Sequence, residues 1–326
     1  MKINIEKDFS RMDELSQRGE AFVFLIDFLQ ENAEVLTVEE LQNQSEILVG
    51  FEGYTNSENK SDFPHEIRLK GFPESFESYQ KGFDIVMENL KTGNSYLVNY
   101  TRKTKIETNL SLEDIFHHSK AKYKVLYKNR WVCFSPEIFV KIKENRISTF
   151  PMKGTIDADI PQAKEILKNN PKEIAEHYTV VDLLRNDLSR IANKVRVVDF
   201  QKIDYLQTQN KNLYAMSSEI QGQVKPEFQQ KIGSILRELL PAGSILGAPK
   251  EKTLEIVLES EQYSRGYYSG ICGYFDGKNL DTGVMIRFIE QENNQLFFKS
   301  GGGITHNSIA KSEYEEVINK IYVPIY

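Results

Sequence analysis

Residues 267–304, YYSGICGYFDGKNLDTGVMIRFIEQENNQLFFKSGGGI, read as three short strands separated by turns. Runs of apolar and β-branched residues are typical of strands, and the segments between them carry the Gly, Asn and Asp that favour turns. Strands joined by short turns pair antiparallel, because a parallel pair needs a long crossover connection. This stretch therefore predicts an antiparallel sheet.

The rest of the chain alternates runs of strands with inserted helices. Strand patterns fill residues 21–28, 46–54, 95–107, 130–150, 194–207 and 213–224, the fourth of them turning at KEN (143–145). Helical spacing of apolar residues predicts helices at 37–44, 77–94, 161–169, 171–192, 226–240 and 310–322. The polar stretch TNSENKSDFP (55–64) predicts a loop. Because the helices stand between runs of strands, the pattern favours an antiparallel α+β fold over a parallel βαβ sheet.

Composition and charge exclude several classes of function. The 326 residues carry a net charge of -6, which argues against a nucleic-acid surface, because phosphate binding needs a clustered excess of Lys and Arg. Cys133 and Cys272 lack CxxC spacing and predict reduced core residues rather than a zinc site or a disulfide framework. No secretory signal is visible, and AFVFLIDFL (21–29) is too short to span a bilayer and contains Asp27. We therefore expect a cytoplasmic protein with no membrane and no nucleic-acid partner.

Two glycine-rich stretches do not match nucleotide-binding motifs. GSILGAPK (243–250) has three residues between its glycines and then Ala-Pro, so it is not a P-loop. GGGITH (301–306) lacks the third glycine of a dinucleotide fingerprint and follows a late strand. Its glycines alone are equally compatible with a tight hairpin or bulge and with backbone N–H groups that approach an anion such as a carboxylate.

The candidate charged residues each have a structural interpretation as well as a functional one. Glu316 and Lys320 are four residues apart on the last predicted helix, the spacing of an ordinary surface ion pair. Glu173 and Glu176 lie near the start of a predicted helix, where acidic side chains interact favourably with the helix dipole. His177 beside them is more typical of a packed or solvated residue than of a metal ligand. Two separated glutamates suit Mg²⁺, which takes oxygen ligands from the protein, from water and from substrate.

Several motifs in this order together resemble the chorismate-utilising enzymes: SPEIF (135–139), PMKGT (151–155), AEHYTVVDLLRNDLSRI (175–191), LLPAGSILGAPKEKTLEI (239–256), RGYYSGICGY (265–274), DTGVMIRF (281–288) and SGGGITHNSIAKSEYEEVINK (300–320). The match is strongest over residues 75–326. We expect a single domain over residues 1–326, with residues 1–70 as a short N-terminal part of it. The resemblance implies an α+β fold with an antiparallel β-sandwich core and helices packed outside, a chorismate site and a required Mg²⁺.

The resemblance also implies roles for individual residues. Glu176 and Glu316 correspond to the magnesium ligands, and Glu137 corresponds to the general acid that protonates the departing C4 hydroxyl. That role needs a carboxyl still protonated near neutral pH, so we expect Glu137 in a partly buried place. The remaining predicted residues bind the substrate: Thr155, Tyr268, Gly270, Arg287, Gly302, Gly303 and Lys320. Among them, Gly302 and Gly303 are expected to supply backbone N–H donors.

Lys153 distinguishes between members of this family. The aminodeoxychorismate synthases carry a motif similar to P-I-K-G-T, whereas anthranilate synthases carry a small residue in place of the lysine. In the former the lysine is understood to attack C2 of chorismate, and ammonia then adds at C4. Leu97 occupies the position that corresponds to a lysine in isochorismate and salicylate synthases, where this lysine activates water. Ser217 occupies the position that corresponds to a histidine in anthranilate synthases, where this histidine is linked to the loss of pyruvate.

The resemblance thus predicts Mg²⁺-dependent amination of chorismate at C4 for 4-aminobenzoate and folate synthesis, with Lys153 and Glu137 as the catalytic residues. No G-x-C-x-G stretch of a glutamine amidotransferase is present, so a separate glutaminase subunit is expected to supply ammonia. The alternative within the family is component I of anthranilate synthase. A different class of alternative is an inactive chorismate-binding protein.

Overall fold

The computed structural model describes residues 3–58, 66–206 and 212–325, with all of their side chains except those of residues 3, 4, 153, 172 and 206. The chain divides into two compact units. Unit 1 comprises Met1–Phe22, Ile138–Ser244 and Tyr274–Thr282, and unit 2 comprises Val23–Glu137, Ile245–Gly273 and Gly283–Tyr326. The single catalytic domain expected from the sequence stays a prediction.

Helices and strands alternate in groups along the described chain. The helices are α1 (Ile3–Gln17), α2 (Val38–Gln42), α3 (Phe76–Lys91), α4 (Leu112–His118), α5 (Ala163–Lys168), α6 (Pro171–Ile191), α7 (Ile232–Leu239), α8 (Gly243–Leu246), α9 (Lys250–Glu261) and α10 (Ala310–Asn319). The strands are β1 (Phe22–Ile26), β2 (Ala33–Thr37), β3 (Ile47–Phe51), β4 (Tyr54–Thr55), β5 (Leu69–Phe72), β6 (Leu97–Thr108), β7 (Tyr123–Tyr127), β8 (Trp131–Ser135), β9 (Ile138–Lys143), β10 (Arg146–Thr149), β11 (Met152–Asp157), β12 (Ala192–Leu206), β13 (Leu213–Val224), β14 (Gly247–Ala248), β15 (Ile271–Phe275), β16 (Leu280–Val284), β17 (Phe288–Glu292) and β18 (Gln295–Ile304).

Unit 1 is built around the long strand β13. This strand pairs antiparallel with β11 and β10 along one edge and with β12 along the other, and β10 pairs in turn with β9. Helix α6 packs on β11, β12 and β13 through a buried apolar stripe that includes Val180, Leu184 and Leu188. Helix α1 packs on α7, where Asp13 accepts hydrogen bonds from the backbone N–H and the hydroxyl of Ser234.

Unit 2 contains a second antiparallel sheet. Its strand order is β14-β6-β18-β17-β8-β7-β3-β4, with β5 added on β6. One core cluster joins β6 to α3 and α9 around Tyr79, Phe83 and Tyr100, and another joins the sheet to α4 around Phe116 and Phe298. Cys133 and Cys272 are buried free thiols, which confirms the prediction of reduced core residues.

The predicted α+β class with antiparallel sheets is confirmed, whereas several element boundaries differ from the prediction. Residues 130–150 form three strands instead of two, because Pro136 interrupts the run between β8 and β9. The predicted strand LDTGVMIRFIE (280–290) divides into β16 and β17, with Arg287 at φ 56 between them. The helix predicted over 226–240 is a short 3₁₀ turn followed by α7. The loop predicted at 55–64 lies mostly outside the described residues.

The structure adds helices α1, α4, α8 and α9 and strands β2, β5, β7, β11 and β14 to those predicted. Within the described part of the chain, no helix combines the length and the apolar composition that a bilayer span requires.

Candidate active site

The turn at residues 267–270 in unit 2 holds two of the predicted substrate-binding residues. The Ser269 N–H donates to the Met285 carbonyl over 2.9 Å, and the Met285 N–H donates to the Gly270 carbonyl over 2.8 Å. A Cβ at Gly270 would lie 2.1 Å from the Ile26 carbonyl oxygen, so only glycine fits. These backbone bonds join the turn that carries Tyr268 to the segment that carries Arg287.

Tyr268 is buried, and its side chain keeps its proton. Burial raises the pKa of the Tyr268 hydroxyl, while the positive charge of nearby Arg265 opposes this to a smaller extent. A phenol that stays neutral can donate a hydrogen bond to a carboxylate. The ring also packs against Phe288, with the two ring centroids 6.0 Å apart.

Arg287 occupies a strained backbone position between β16 and β17. Its φ of 56 lies in the left-handed region, which is uncommon for a residue with a side chain. The Arg287 carbonyl accepts a hydrogen bond from the Phe134 N–H over 3.0 Å. The guanidinium lies 5.3 Å from the ring centroid of Tyr322, and its Nε donates to the Tyr322 hydroxyl over 3.4 Å. Its planar group has the shape that binds a carboxylate through two parallel hydrogen bonds.

The glycines of β18 let helix α10 approach the strand closely. A Cβ at Gly302 would lie 3.4 Å from Oε1 of Glu316 and 3.6 Å from Oε2 of Glu313. Glu316 pairs with Lys320 over 2.7 Å, and the Lys320 ammonium donates to the Gly301 carbonyl over 2.6 Å. Gly302 and Gly303 lie in the ladder with β6, opposite Tyr100 and Asn99. The predicted metal ligand Glu316, Lys320 and the glycines are therefore neighbours.

The donor set around Gly302 fits the chemistry of magnesium. Glu316 and the buried Glu313 both offer carboxylate oxygens, and hard oxygen ligands are those that Mg²⁺ prefers. Glu313 is not among the residues predicted from the sequence, although its spacing of three residues from Glu316 places both on one helix face. In residues 3–58, 66–206 and 212–325, no group of three or more His, Cys, Asp or Glu side chains forms a complete metal site.

Glu137 follows Pro136 at the break between β8 and β9. Its N–H donates to the Ser135 hydroxyl over 3.2 Å, and its carbonyl accepts from the Val284 N–H over 3.1 Å. The residue is half-buried, the environment expected of it. Two hydrogen bonds thus fix the backbone from which the predicted acid projects.

In unit 1 the backbone of Lys153 forms one side of a β-bulge. Lys153 lies opposite Met216 and Thr155 opposite Ala215, so Gly154 is the extra residue on β11. Gly154 has a φ of 74, and a Cβ there would lie 2.8 Å from Oε2 of Glu173. The side chain of Lys153 lies outside the described residues, and Thr155 is exposed. The bulge accounts for the glycine after the lysine.

Helix α6 carries half-buried Glu176, and the next residue, His177, connects the helix to β13. His177 is fully buried, and its Nε2 lies 2.7 Å from the Ser218 hydroxyl. The Ser218 N–H donates to the Pro151 carbonyl, two residues before Lys153. His177 is therefore a packed residue, as the sequence favoured, and it links the helix of Glu176 to the start of β11.

The resemblance links two further positions, Leu97 and Ser217, to the type of reaction. Leu97 is buried at the start of β6 and carries no ionisable group. The Ser217 hydroxyl donates a hydrogen bond to Oδ2 of Asp204.

The structure divides the predicted site residues between the units. Unit 2 holds Glu137, Tyr268, Gly270, Arg287, Gly302, Gly303, Glu316 and Lys320, and unit 1 holds Lys153, Thr155 and Glu176. Sequence reasoning missed a buried group of charges in unit 2 formed by Glu261, Arg265, Glu290 and Lys299. Its only signal in the sequence is a lysine within an apolar run, QLFFKS.

Comparisons with known proteins agree with the motifs. A family model described as chorismate binding enzyme matches residues 9–325. An uncharacterized PabA-like protein of Pasteurella multocida is 47% identical over 314 residues, which cover 96% of this chain and 97% of that protein. Aminodeoxychorismate synthase component 1 of Escherichia coli is 32% identical over 260 residues, with coverage of 75% and 56%. Anthranilate synthase component 1 of Lactococcus lactis is 33% identical over 231 residues, with coverage of 68% and 47%.

This chain therefore matches only about half the length of the last two relatives. Among solved structures, a putative 2,3-dihydroxybenzoate-specific isochorismate synthase from Bacillus anthracis shares the fold with a TM-score of 0.72 and 20% identity, over 98% of this chain and 87% of that one. The family model covers nearly the whole chain, and the solved relative has the same fold. The chain belongs to the family of chorismate binding enzymes.

Proposed function

We propose that this chain is the synthase subunit of an aminodeoxychorismate synthase, which replaces the C4 hydroxyl of chorismate by an amino group. The observation that carries the proposal is Lys153 in the motif PMKGT, placed on a glycine bulge of β11 in a chain of this family. A bulge redirects a side chain and fixes its backbone, as a nucleophile needs. The 32% identity to an aminodeoxychorismate synthase component 1 is matched by 33% identity to an anthranilate synthase component 1, so the choice between the two reactions rests on Lys153.

The proposed reaction has two balanced steps. The Lys153 amine adds to C2 of chorismate, both ring double bonds shift (C1=C2 and C5=C6 become C1=C6 and C4=C5), and the C4 hydroxyl leaves as water with the proton from Glu137. Ammonia then adds at C4, both double bonds shift back, and the bond between C2 and the lysine nitrogen breaks, which releases the neutral amine. The new ammonium group at C4 returns one proton to Glu137. The net change exchanges hydroxyl for amine without oxidant or reductant, and the Lys153 amine must be neutral when it attacks.

Substrate binding in this proposal depends on unit 2. Arg287 and Lys320 offer a fork of donors and a point charge to the two carboxylates of chorismate, and neutral Tyr268 donates a further hydrogen bond. The half-buried position of Glu137 suits an acid that has to stay protonated until the hydroxyl leaves. Glu316, beside Gly302 in unit 2, would hold a Mg²⁺ ion that neutralises and orients the ring carboxylate.

Two residues weigh against the other reactions of the family. Buried Leu97 offers no base to activate water, which disfavours isochorismate and salicylate formation. Ser217 bonded to Asp204 supplies no imidazole, which disfavours the loss of pyruvate in anthranilate formation. Ammonia comes from a separate glutaminase subunit, because neither cysteine stands in a G-x-C-x-G context and both are buried.

The product formed from chorismate, Mg²⁺ and ammonium tests the proposal. We expect a compound in which amine has replaced one hydroxyl and the enolpyruvyl group is retained, identified by its mass. Anthranilate with free pyruvate would instead establish the anthranilate synthase alternative. If the protein binds chorismate but forms no product, either with ammonium or with a glutaminase and glutamine, the alternative of an inactive chorismate-binding protein would be supported.

A further inference from the structure

Lys299 is a buried lysine in the sheet of unit 2. Its side chain is 1% exposed, and its ammonium lies 2.6 Å from Oε2 of Glu290. The same ammonium donates to the carbonyls of Arg265 over 2.9 Å and of Ser264 over 3.3 Å. A lysine has three N–H donors, and each of them has an acceptor in this arrangement.

Burial of this pair has an electrostatic cost. Loss of solvent lowers the pKa of Lys299 while Glu290 opposes the shift, and loss of solvent likewise raises the pKa of Glu290. Buried ion pairs often add little stability compared with apolar side chains of similar size, although removal of one partner alone is strongly destabilising. Stability alone therefore does not explain why a lysine is found here. The segments that Lys299 connects indicate what else it does.

Those segments are the ones that carry the predicted carboxylate-binding residues. Arg265 lies three residues before Tyr268, Glu290 lies three residues after Arg287, and Lys299 lies three residues before Gly302. One ammonium thus connects β17 and β18 to the residues just before the 267–270 turn. In the folded protein, Phe288 is the β17 residue paired with Lys299 in the ladder.

Arg265 extends the connection to β6. Its guanidinium pairs with Glu261 over 2.6 Å, and both side chains are 1% exposed. The guanidinium also donates to the Asn99 carbonyl over 2.6 Å, and Asn99 is the ladder partner of Gly303. The backbone that faces the second predicted N–H donor is thereby held by the same group of buried charges.

We propose that Lys299 is a positioning residue, which holds the segments of Tyr268, Arg287 and Gly302 in the arrangement that binds the carboxylates of chorismate. The inference rests on the proposed function for its ligand. Lys299 acts through these segments and does not itself contact the substrate. Without its ammonium, the Ser264 and Arg265 carbonyls each lose a hydrogen bond that connects them to β18, although the Arg265 carbonyl still accepts from the Tyr268 N–H over 3.1 Å.

The test compares Lys299→Met with a matched control and a double variant. Lys103→Met is the control, because Lys103 is the ladder partner of Lys299 and also pairs with a glutamate, Glu292, but is 22% exposed. Lys299→Met together with Glu290→Met removes the half-buried carboxylate that the single variant would leave without its partner, so the double variant carries no unpaired charge at this place. Chorismate affinity is measured by calorimetry, and kcat and KM by the ammonia-dependent reaction.

We expect Lys299→Met and the double variant each to weaken chorismate binding and raise KM about tenfold with kcat within about threefold, the pattern for lost uniform binding. Lys103→Met should bind as the wild type does. Amide hydrogen exchange at residues 264–270 should be faster in both Lys299 variants. A double variant with wild-type affinity would overturn the proposal, because Lys299 would then serve only to neutralise Glu290.

The proposed reaction and the role of Lys299 can fail separately. Wild-type protein that binds chorismate without aminating it would refute the reaction, and the binding comparison would still test Lys299. If the wild type binds no chorismate, the proposal for Lys299 falls with its ligand, and unchanged exchange at residues 264–270 would refute its structural basis as well.

Discussion

At the scale of single residues, the proposed reaction depends on Lys153. We expect Lys153→Ala to lower ammonia-dependent turnover at least about 100-fold, because the covalent step loses its nucleophile. Chorismate binding should remain within about tenfold, or about 1.4 kcal/mol, of the wild type. Glu137→Ala should lower turnover in the same way, since the leaving hydroxyl then has no acid.

Turnover by mass-detected product and affinity by calorimetry check this expectation. Lys168→Ala, at an exposed lysine of α5, is a suitable control and should leave both quantities unchanged. A Lys153→Ala protein with normal turnover would contradict the covalent route. A large loss of affinity would mean that Lys153 anchors a carboxylate instead.

Sequence reasoning could propose individual site residues where a motif names them, and it missed the charged residues that are defined only by burial. Glu137 and Arg287 stand in motifs that carry their identity along the chain. Lys299 and Glu290 are separated in sequence by a turn, and their significance arises only when β17 and β18 pair and exclude water. The alternation of apolar and polar residues does not reveal such an ion pair, because a single charged residue is also common on the exposed face of a strand.

At the scale of elements, the strand runs were predictable and the places where they break were not. A left-handed φ at Arg287 divides one predicted strand into β16 and β17, although nothing in its residue type requires that conformation. Helix α9 buries one face, but three of the five residues buried there are polar: Thr253, Ser260 and Glu261. A pattern that depends on apolar residues along the buried face therefore cannot detect this helix.

The bulge in β11 provides a test at this scale. Ala at position 154 must adopt a φ of 74, and its Cβ would meet Glu173 at 2.8 Å and Leu167 at 3.0 Å. We expect Gly154→Ala to lower the free energy of unfolding by about 1–3 kcal/mol and turnover at least about tenfold, because both the strain and the crowding move Lys153.

Gly93→Ala separates strain from crowding. Gly93 has a φ of 77, and a Cβ there would meet nothing within 4 Å. We expect Gly93→Ala to lower the free energy of unfolding, measured by chemical denaturation, by about 1 kcal/mol. Its turnover should equal that of the wild type. Equal turnover in the two variants would show that the bulge does not position the lysine.

At the scale of the whole molecule, we expect a divalent ion to be required for substrate binding as well as for turnover. Removal of divalent ions with EDTA should weaken chorismate binding at least about tenfold, because the substrate carboxylate then meets the Glu316 carboxylate without a neutralising cation. Calorimetry with and without added Mg²⁺ measures this directly. Equal affinity in both conditions would exclude an ion at the carboxylate.

The two cysteines have a practical consequence for experiments on the intact protein. Cys133 and Cys272 are fully buried, and burial raises the pKa of the Cys133 thiol. Alkylating reagents react with the thiolate, so the native protein should take up almost no maleimide, whereas the denatured protein should react at both positions. Rapid labelling of the native protein would contradict this expectation. A fluorescent or spin label could then be attached to a single introduced surface cysteine without first removing the native ones.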